Sequence, residues 1–126
     1  DGANLVYRNL PLIYKAAGKF WVNNHSHILK NKKGVDYEYM FYTLESADYS
    51  NYITGSAQPK LSQANLEQQE LPIPSLSEQQ SIATYLDKKC AAIDASISKA
   101  QHQVDLLQEY KLSLITEVVT GKRNVC

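Results

Sequence analysis

A chain of 126 residues, 44% of them hydrophobic, has room for one modest domain or for a small domain with a long arm. Thirteen Lys and Arg balance thirteen Asp and Glu, which excludes the strongly basic composition of a stand-alone nucleic-acid binder. Two cysteines exclude a disulfide framework, and no signal-peptide pattern or membrane-length apolar run occurs, so a cytoplasmic protein is expected.

The charge is unevenly placed. Residues 1–60 carry seven bases (Arg8, Lys15, Lys19, Lys30, Lys32, Lys33 and Lys60) against five acids, and residues 61–126 carry six bases against eight acids. Nine Tyr stand against two Phe and one Trp. Tyrosine combines a ring for packing with a polar tip, and amphipathic packing is the expected use.

In chain order, Asn4 to Tyr7 and Leu12 to Tyr14 are short apolar runs around Pro11, expected as brief strands or an irregular approach. Gly18 marks a turn. Lys19 to Leu29 reads as a strand bent at Asn23-Asn24, with His25 and His27 on one face. Asn31 to Gly34 is a turn with two lysines. Val35 to Glu45 is a predicted helix, with Met40, Leu44 and the Tyr37/Phe41 pair along one side. Ala47 to Gly55 is polar, Ser56 to Lys60 is a loop, and a short helix capped by Ser62 follows. Glu70 to Pro74 is extended.

From Ser77 the chain changes character. Ser77 and Gln80 are spaced as a capping box, and neither Pro nor Gly intervenes until Gly121. That predicts a helix of about 43 residues, roughly 64 Å at 1.5 Å per residue. Gly121 suits the left-handed residue that ends a helix, and Lys122 and Arg123 suit its negative end. Cys90, Ile97, Val104, Lys111 and Val118 fall on one heptad position, and Leu86, Ile93, Ala100, Leu107 and Leu114 fall on the other. This period of 3.5 predicts a coiled coil over about residues 78–120, broken only by Lys111. Such a seam needs a second helix, from another chain or from the same one. The uncharged flanks leave its direction open.

The string P-S-L-S-E-Q-Q-S-I-A-T-Y-L-D (Pro74 to Asp87), the long helix and the closing L-I-T-E-V-V-T-G (Leu114 to Gly121) resemble the conserved region of type I restriction–modification specificity (S) subunits. N-N-H-S-H-I-L-K (Asn23 to Lys30) and T-G-S-A-Q-P-K-L-S (Thr54 to Ser62) resemble the end of that family's target recognition domain, so the resemblance covers roughly Gly18 to Gly121. It implies an α+β chain: a small mixed head, part of a target recognition domain (residues 1–74), followed by a spacer helix (residues 75–126). Whole S subunits have two copies of this unit. The chain begins at Asp1 rather than Met, and a processed chain or a fragment resembling the end of one copy is expected.

No catalytic motif accompanies these features. There is no glycine-rich cofactor loop, no P-loop, no methyltransferase Asn/Asp-Pro-Pro-aromatic string and no nuclease core. His25 and His27 lack further ligands nearby, so packing or hydrogen bonding is expected of them rather than metal binding. The candidates for DNA contact are Lys30, Lys32 and Lys33 in the turn and Ser56, Gln58 and Lys60 in the loop. Gln can pair with an adenine edge, and Lys can donate to guanine or phosphate. Ordinary polar loop chemistry is the competing account. The resemblance implies a non-catalytic partner of double-stranded DNA and of methyltransferase (M) and restriction (R) subunits. S-adenosylmethionine and ATP would belong to those subunits, and this chain would hold no cofactor. Pairing through the helix would give a homodimer or an intramolecular coil. Two alternatives remain open: a coiled-coil assembly module without DNA readout, and the specificity domain of a fused restriction–modification enzyme.

Overall fold

The computed structural model describes residues 2–23, 25–55 and 57–125. Its elements, in chain order, are α1 (Gly2–Tyr7), α2 (Tyr37–Ser46), a 3-10 turn (Ser50–Tyr52), β1 (Ile53–Thr54), β2 (Lys60–Leu61), α3 (Gln63–Leu66) and α4 (Leu76–Val119). Backbone contacts divide the chain into a head of residues 1–84 and a second unit of residues 85–126. The architecture is a small mixed head with a two-stranded antiparallel sheet, followed by a long helix. No described helix is long and apolar enough to cross a membrane.

Helix α2 starts at Asp36, whose carboxylate accepts from the Tyr39 amide at 2.9 Å. Its other end lacks the usual glycine. The carbonyls left over there are met by side chains instead. The Tyr49 hydroxyl donates to Leu44 O at 2.7 Å, and the Arg8 guanidinium donates to Glu45 O at 3.0 Å and Ala47 O at 2.6 Å. Glu45 returns the contact by accepting from the Leu12 and Ile13 amides at 2.9 and 2.8 Å. Residues 8–13 are thereby pinned to the end of α2.

The head's core is small: Tyr39, Leu44, Tyr49 and Ala83, with Thr43 and Gln79 buried beside them. Three tyrosines act as struts. Tyr39 donates to Pro72 O at 2.9 Å, Tyr49 to Leu44 O, and Tyr52 to Gln68 O at 3.2 Å. Each ring supplies apolar surface while its hydroxyl satisfies a loop or helix-end carbonyl, which is the amphipathic use expected of a tyrosine-rich chain. Gln79 is the most deeply buried side chain, 1% exposed. Its Oε1 accepts from the Asp36 amide at 2.8 Å and its Nε2 donates to Pro74 O at 2.8 Å. One amide therefore ties the start of α2 and the proline approach to the first turn of α4.

Several local expectations need correction. Asn4 to Tyr7 is helical, within α1, rather than a strand. Lys19 to Leu29 forms no strand among its described residues. The Asn23 carboxamide accepts from the His25 amide and the Ser26 hydroxyl, both at 3.0 Å, and such local bonds compete with a ladder. Strand pairing lies instead between 53–54, in a stretch read as polar, and 60–61, at the end of the expected loop and the start of the expected short helix. On α2 the buried residues are Tyr39, Thr43 and Leu44, so Leu44 is buried as expected while Tyr39 and Thr43 lie outside the expected face. The predicted stripe of Tyr37, Met40, Phe41 and Leu44 walls a cleft described below. Helix α4 is capped two residues earlier than expected. The Ser75 hydroxyl accepts from the Glu78 amide at 3.4 Å and Ser75 O accepts from the Gln79 amide at 2.9 Å. Ser75 and Glu78 thus hold the capping-box spacing, and Ser77 lies inside the helix.

The short helix capped by Ser62 forms as expected, its hydroxyl accepting from the Asn65 amide. So does the close of α4, where Gly121 takes a left-handed φ of +73°. In the second unit Ile93, Ile97, Val104 and Leu107 are exposed, whereas Leu86, Cys90, Leu114 and Val118 are half-buried.

Two outcomes follow from the core. Gln79→Ala leaves the Asp36 amide without its buried partner and is expected to destabilise the head by about 1–3 kcal/mol in urea unfolding. Burial pushes the Tyr49 phenol above its ordinary value of 10.0, with Arg8 lowering it and Glu45 raising it more weakly. The folded head thus holds that proton more tightly than the unfolded chain. This contribution to stability is fully present below pH 10.0 and is lost as pH rises through the folded value. Tyr49→Phe should make the alkaline limb of a stability–pH curve shallower.

Candidate nucleic-acid interface

Strands β1 and β2 pair antiparallel, Ile53 opposite Leu61 and Thr54 opposite Lys60. Gly55 and residues 57–59 belong to the hairpin's loop. Gly55 opens it at φ +89°, and a Cβ there would lie 2.7 Å from Gln58 O. Only glycine meets both demands, so the loop closes tightly because residue 55 has no side chain. The base is braced from below: the Asn65 carboxamide donates to Tyr52 O at 2.7 Å. Gln58 and Lys60 are exposed and line one shallow concavity with Thr54, Gly55 and Ala57. Ser56 lies outside the described residues.

A larger cleft of about 1010 Å³ runs through the head. Its walls are apolar: Leu12, Phe20, Val22, Ile28, Phe41 and Leu66 among others. Lys15, Lys30, Lys32 and Lys60 line it, with His25 and His27, and among the described residues no Asp or Glu does. The cleft thus brings together three sequence candidates, Lys30, Lys32 and Lys60. Lys33 is exposed on the neighbouring turn but does not line it, and Gln58 sits in the adjoining concavity.

The acids of the head explain this polarity. Asp36 caps α2, Glu38 pairs with Lys15, and Glu45 holds the Leu12 and Ile13 amides. The Asp48 carboxyl is lowered from its ordinary value, first by the Ser50 amide, which donates to it at 2.9 Å, then by the Ser50 hydroxyl. Each of these four carboxylates meets a donor of the chain itself. Among the described residues none of Lys30, Lys32, Lys33 or Lys60 enters an ion pair. Lys15 was missed by sequence reasoning. Its ammonium pairs with Glu38 and lies 4.5 Å from the Phe41 ring centre, so it closes the cleft wall.

The family profile described as the type I restriction modification DNA specificity domain matches residues 12–104. The chain belongs to this family. A Haemophilus influenzae protein described as the type I restriction enzyme specificity subunit S.HindORF215P is 36% identical over 72 residues, covering 57% of this chain and 19% of that protein. The EcoprrI specificity subunit of Escherichia coli is 29% identical over 76 residues, 60% of this chain and 19% of that one. The MjaIX specificity subunit of Methanocaldococcus jannaschii is 31% identical over 119 residues, 90% of this chain and 27% of that one. The chain therefore spans between 19% and 27% of the length of these relatives. No solved structure matches it.

Gly55→Ala tests the loop. Its Cβ meets a backbone carbonyl and its φ is left-handed, so a cost of about 1–3 kcal/mol is expected. A lowered midpoint in thermal unfolding would register it, whereas Gly34→Ala, strained in φ but meeting no atom, should cost less.

Proposed function

We propose that this chain serves in sequence-specific DNA recognition as part of a type I restriction–modification specificity subunit. The observation that carries the reading is the head cleft lined, among the described residues, by Lys30, Lys32 and Lys60 outside any ion pair and by no carboxylate, on a chain of this family. Lysines on its rim contact phosphates and position the head. Gln58, at the adjoining hairpin loop, is suited to a base edge. Ser56 is proposed alongside it on sequence grounds, as is Lys33 on the turn. The chain is read as non-catalytic. Double-stranded DNA is its ligand, and the chemistry on DNA belongs to M and R subunits.

Helix α4 is the proposed spacer. Its seam runs through Leu86, Cys90, Ile93, Ile97, Ala100, Val104, Leu107, Lys111, Leu114 and Val118. Exposed Ile93, Ile97 and Leu107 support pairing with a second helix, since each would gain about 1.5–3 kcal/mol on full burial. Two copies pairing in this way hold two heads at a fixed separation and read two half-sites with a set gap, and further apolar surface of the helix docks M subunits.

Two measurements test these roles. Binding to a mixed-sequence duplex should weaken steeply with salt, and each of Lys30→Ala, Lys32→Ala and Lys60→Ala should lower the log–log slope by about 1. No binding even at low salt, with assembly intact, would leave an assembly module without DNA readout. In light scattering the chain should run as a dimer and bind M subunits, and Ile97→Asp should yield a monomer of unchanged helicity. A wild-type monomer that ignores M would sink the spacer role.

A further inference from the structure

We infer that His27 is a positioning residue for DNA contact: its imidazole latches the Lys30–Lys32 stretch to the hairpin that carries Lys60. The inference rests on the DNA-binding reading above and deepens it. His27 lies three residues before Lys30, in a stretch without regular secondary structure. The local bonds there stay close in sequence. Asn23 collects the His25 amide and Ser26 hydroxyl, and Asn31 donates to Val35 O at 2.7 Å. Left to these, the lysine-bearing stretch has no ladder to hold it to the hairpin. His27 Nε2 supplies the link, donating to Leu61 O at 2.7 Å.

Leu61 is the neighbour of Lys60 and is itself fixed opposite Ile53 in the sheet. The latch therefore sets the distance between two cationic segments on one cleft. A carbonyl only accepts, so Nε2 carries the proton, and both the neutral ring and the imidazolium can make this bond. Phosphates are spaced by the duplex, and ammonium groups held at matching separation bind without first being ordered. His27 itself need not touch DNA.

The test is salt-dependent binding of the full chain to a mixed-sequence duplex, for wild type, His27→Ala, His27→Gln and Lys60→Ala, and for the double variant of His27→Ala with Lys60→Ala. His27→Ala is expected to lose about tenfold in affinity and about 1 in salt slope. His27→Gln, whose amide can still donate to Leu61 O, should recover most of both. In the double variant the two losses should be less than additive, because the latch acts through the same cation. Circular dichroism melts confirm that each variant is folded at the binding temperature, and should His27→Ala not fold, His27→Leu replaces it. A merely structural histidine predicts lower melting with an unchanged slope and additive losses, and that result overturns the inference. So does wild-type affinity in His27→Ala. A wild-type chain that binds no DNA at low salt instead removes the DNA-binding reading itself, and the inference with it.

Discussion

The head depends on one buried carboxamide. Gln79 accepts from the first amide of the α2 cap and donates to the carbonyl of the proline approach, so it needs a donor and an acceptor on one side chain at the reach of a glutamine. Isosteric Glu would keep the acceptor and lose the donor, and Ala would lose both. Burial makes the site demanding, because a polar group removed from water must find its partner inside. Tyr39 reaches Pro72 O nearby, so α2 is tied to the approach of α4 at two points two residues apart, Pro72 and Pro74.

The second constraint is electrostatic. A net charge of zero argues against DNA binding only if acids and bases share the same surface. Here they do not. Asp36, Glu45 and Asp48 accept from backbone amides, and Glu38 takes Lys15. Such charge-assisted bonds occupy these carboxylates with donors of the chain itself. Of the cleft lysines, Lys15 is balanced by Glu38, whereas Lys30, Lys32 and Lys60 enter no ion pair among the described residues. Composition averages over this arrangement and cannot report it.

The sequence made the long helix, the helix at Val35–Glu45, the Ser62 cap and the Gly121 stop legible, because each rests on local chemistry: periodicity, a capping hydroxyl, a left-handed glycine. It also displayed Lys30, Lys32 and Lys60, which share the cleft, though not Lys15. What it hid were choices between equivalent local signals. Ser75 and Ser77 both precede a glutamate or glutamine by three, and the burial of Gln79 decides for the earlier one. The apolar run Lys19–Leu29 has strand composition, but the Asn23 side chain bends it and its apolar residues line the cleft instead. On α2 the burial of Leu44 was legible, but that of Tyr39 was hidden because a tyrosine with a carbonyl partner is worth burying ahead of a more apolar ring, and that partner, Pro72, lies 33 residues away. The role of His27 likewise depends on a carbonyl 34 residues distant.

The hairpin separates support from display. Its register comes from two cross-strand pairs, its closure from Gly55, and its footing from the Asn65 carboxamide against Tyr52 O. None of these uses the side chain of Ala57 or Gln58, which face solvent at the tip. Changes there leave every support in place. The tip is thus an exchangeable cartridge in a socket that stands under the steric veto of one glycine.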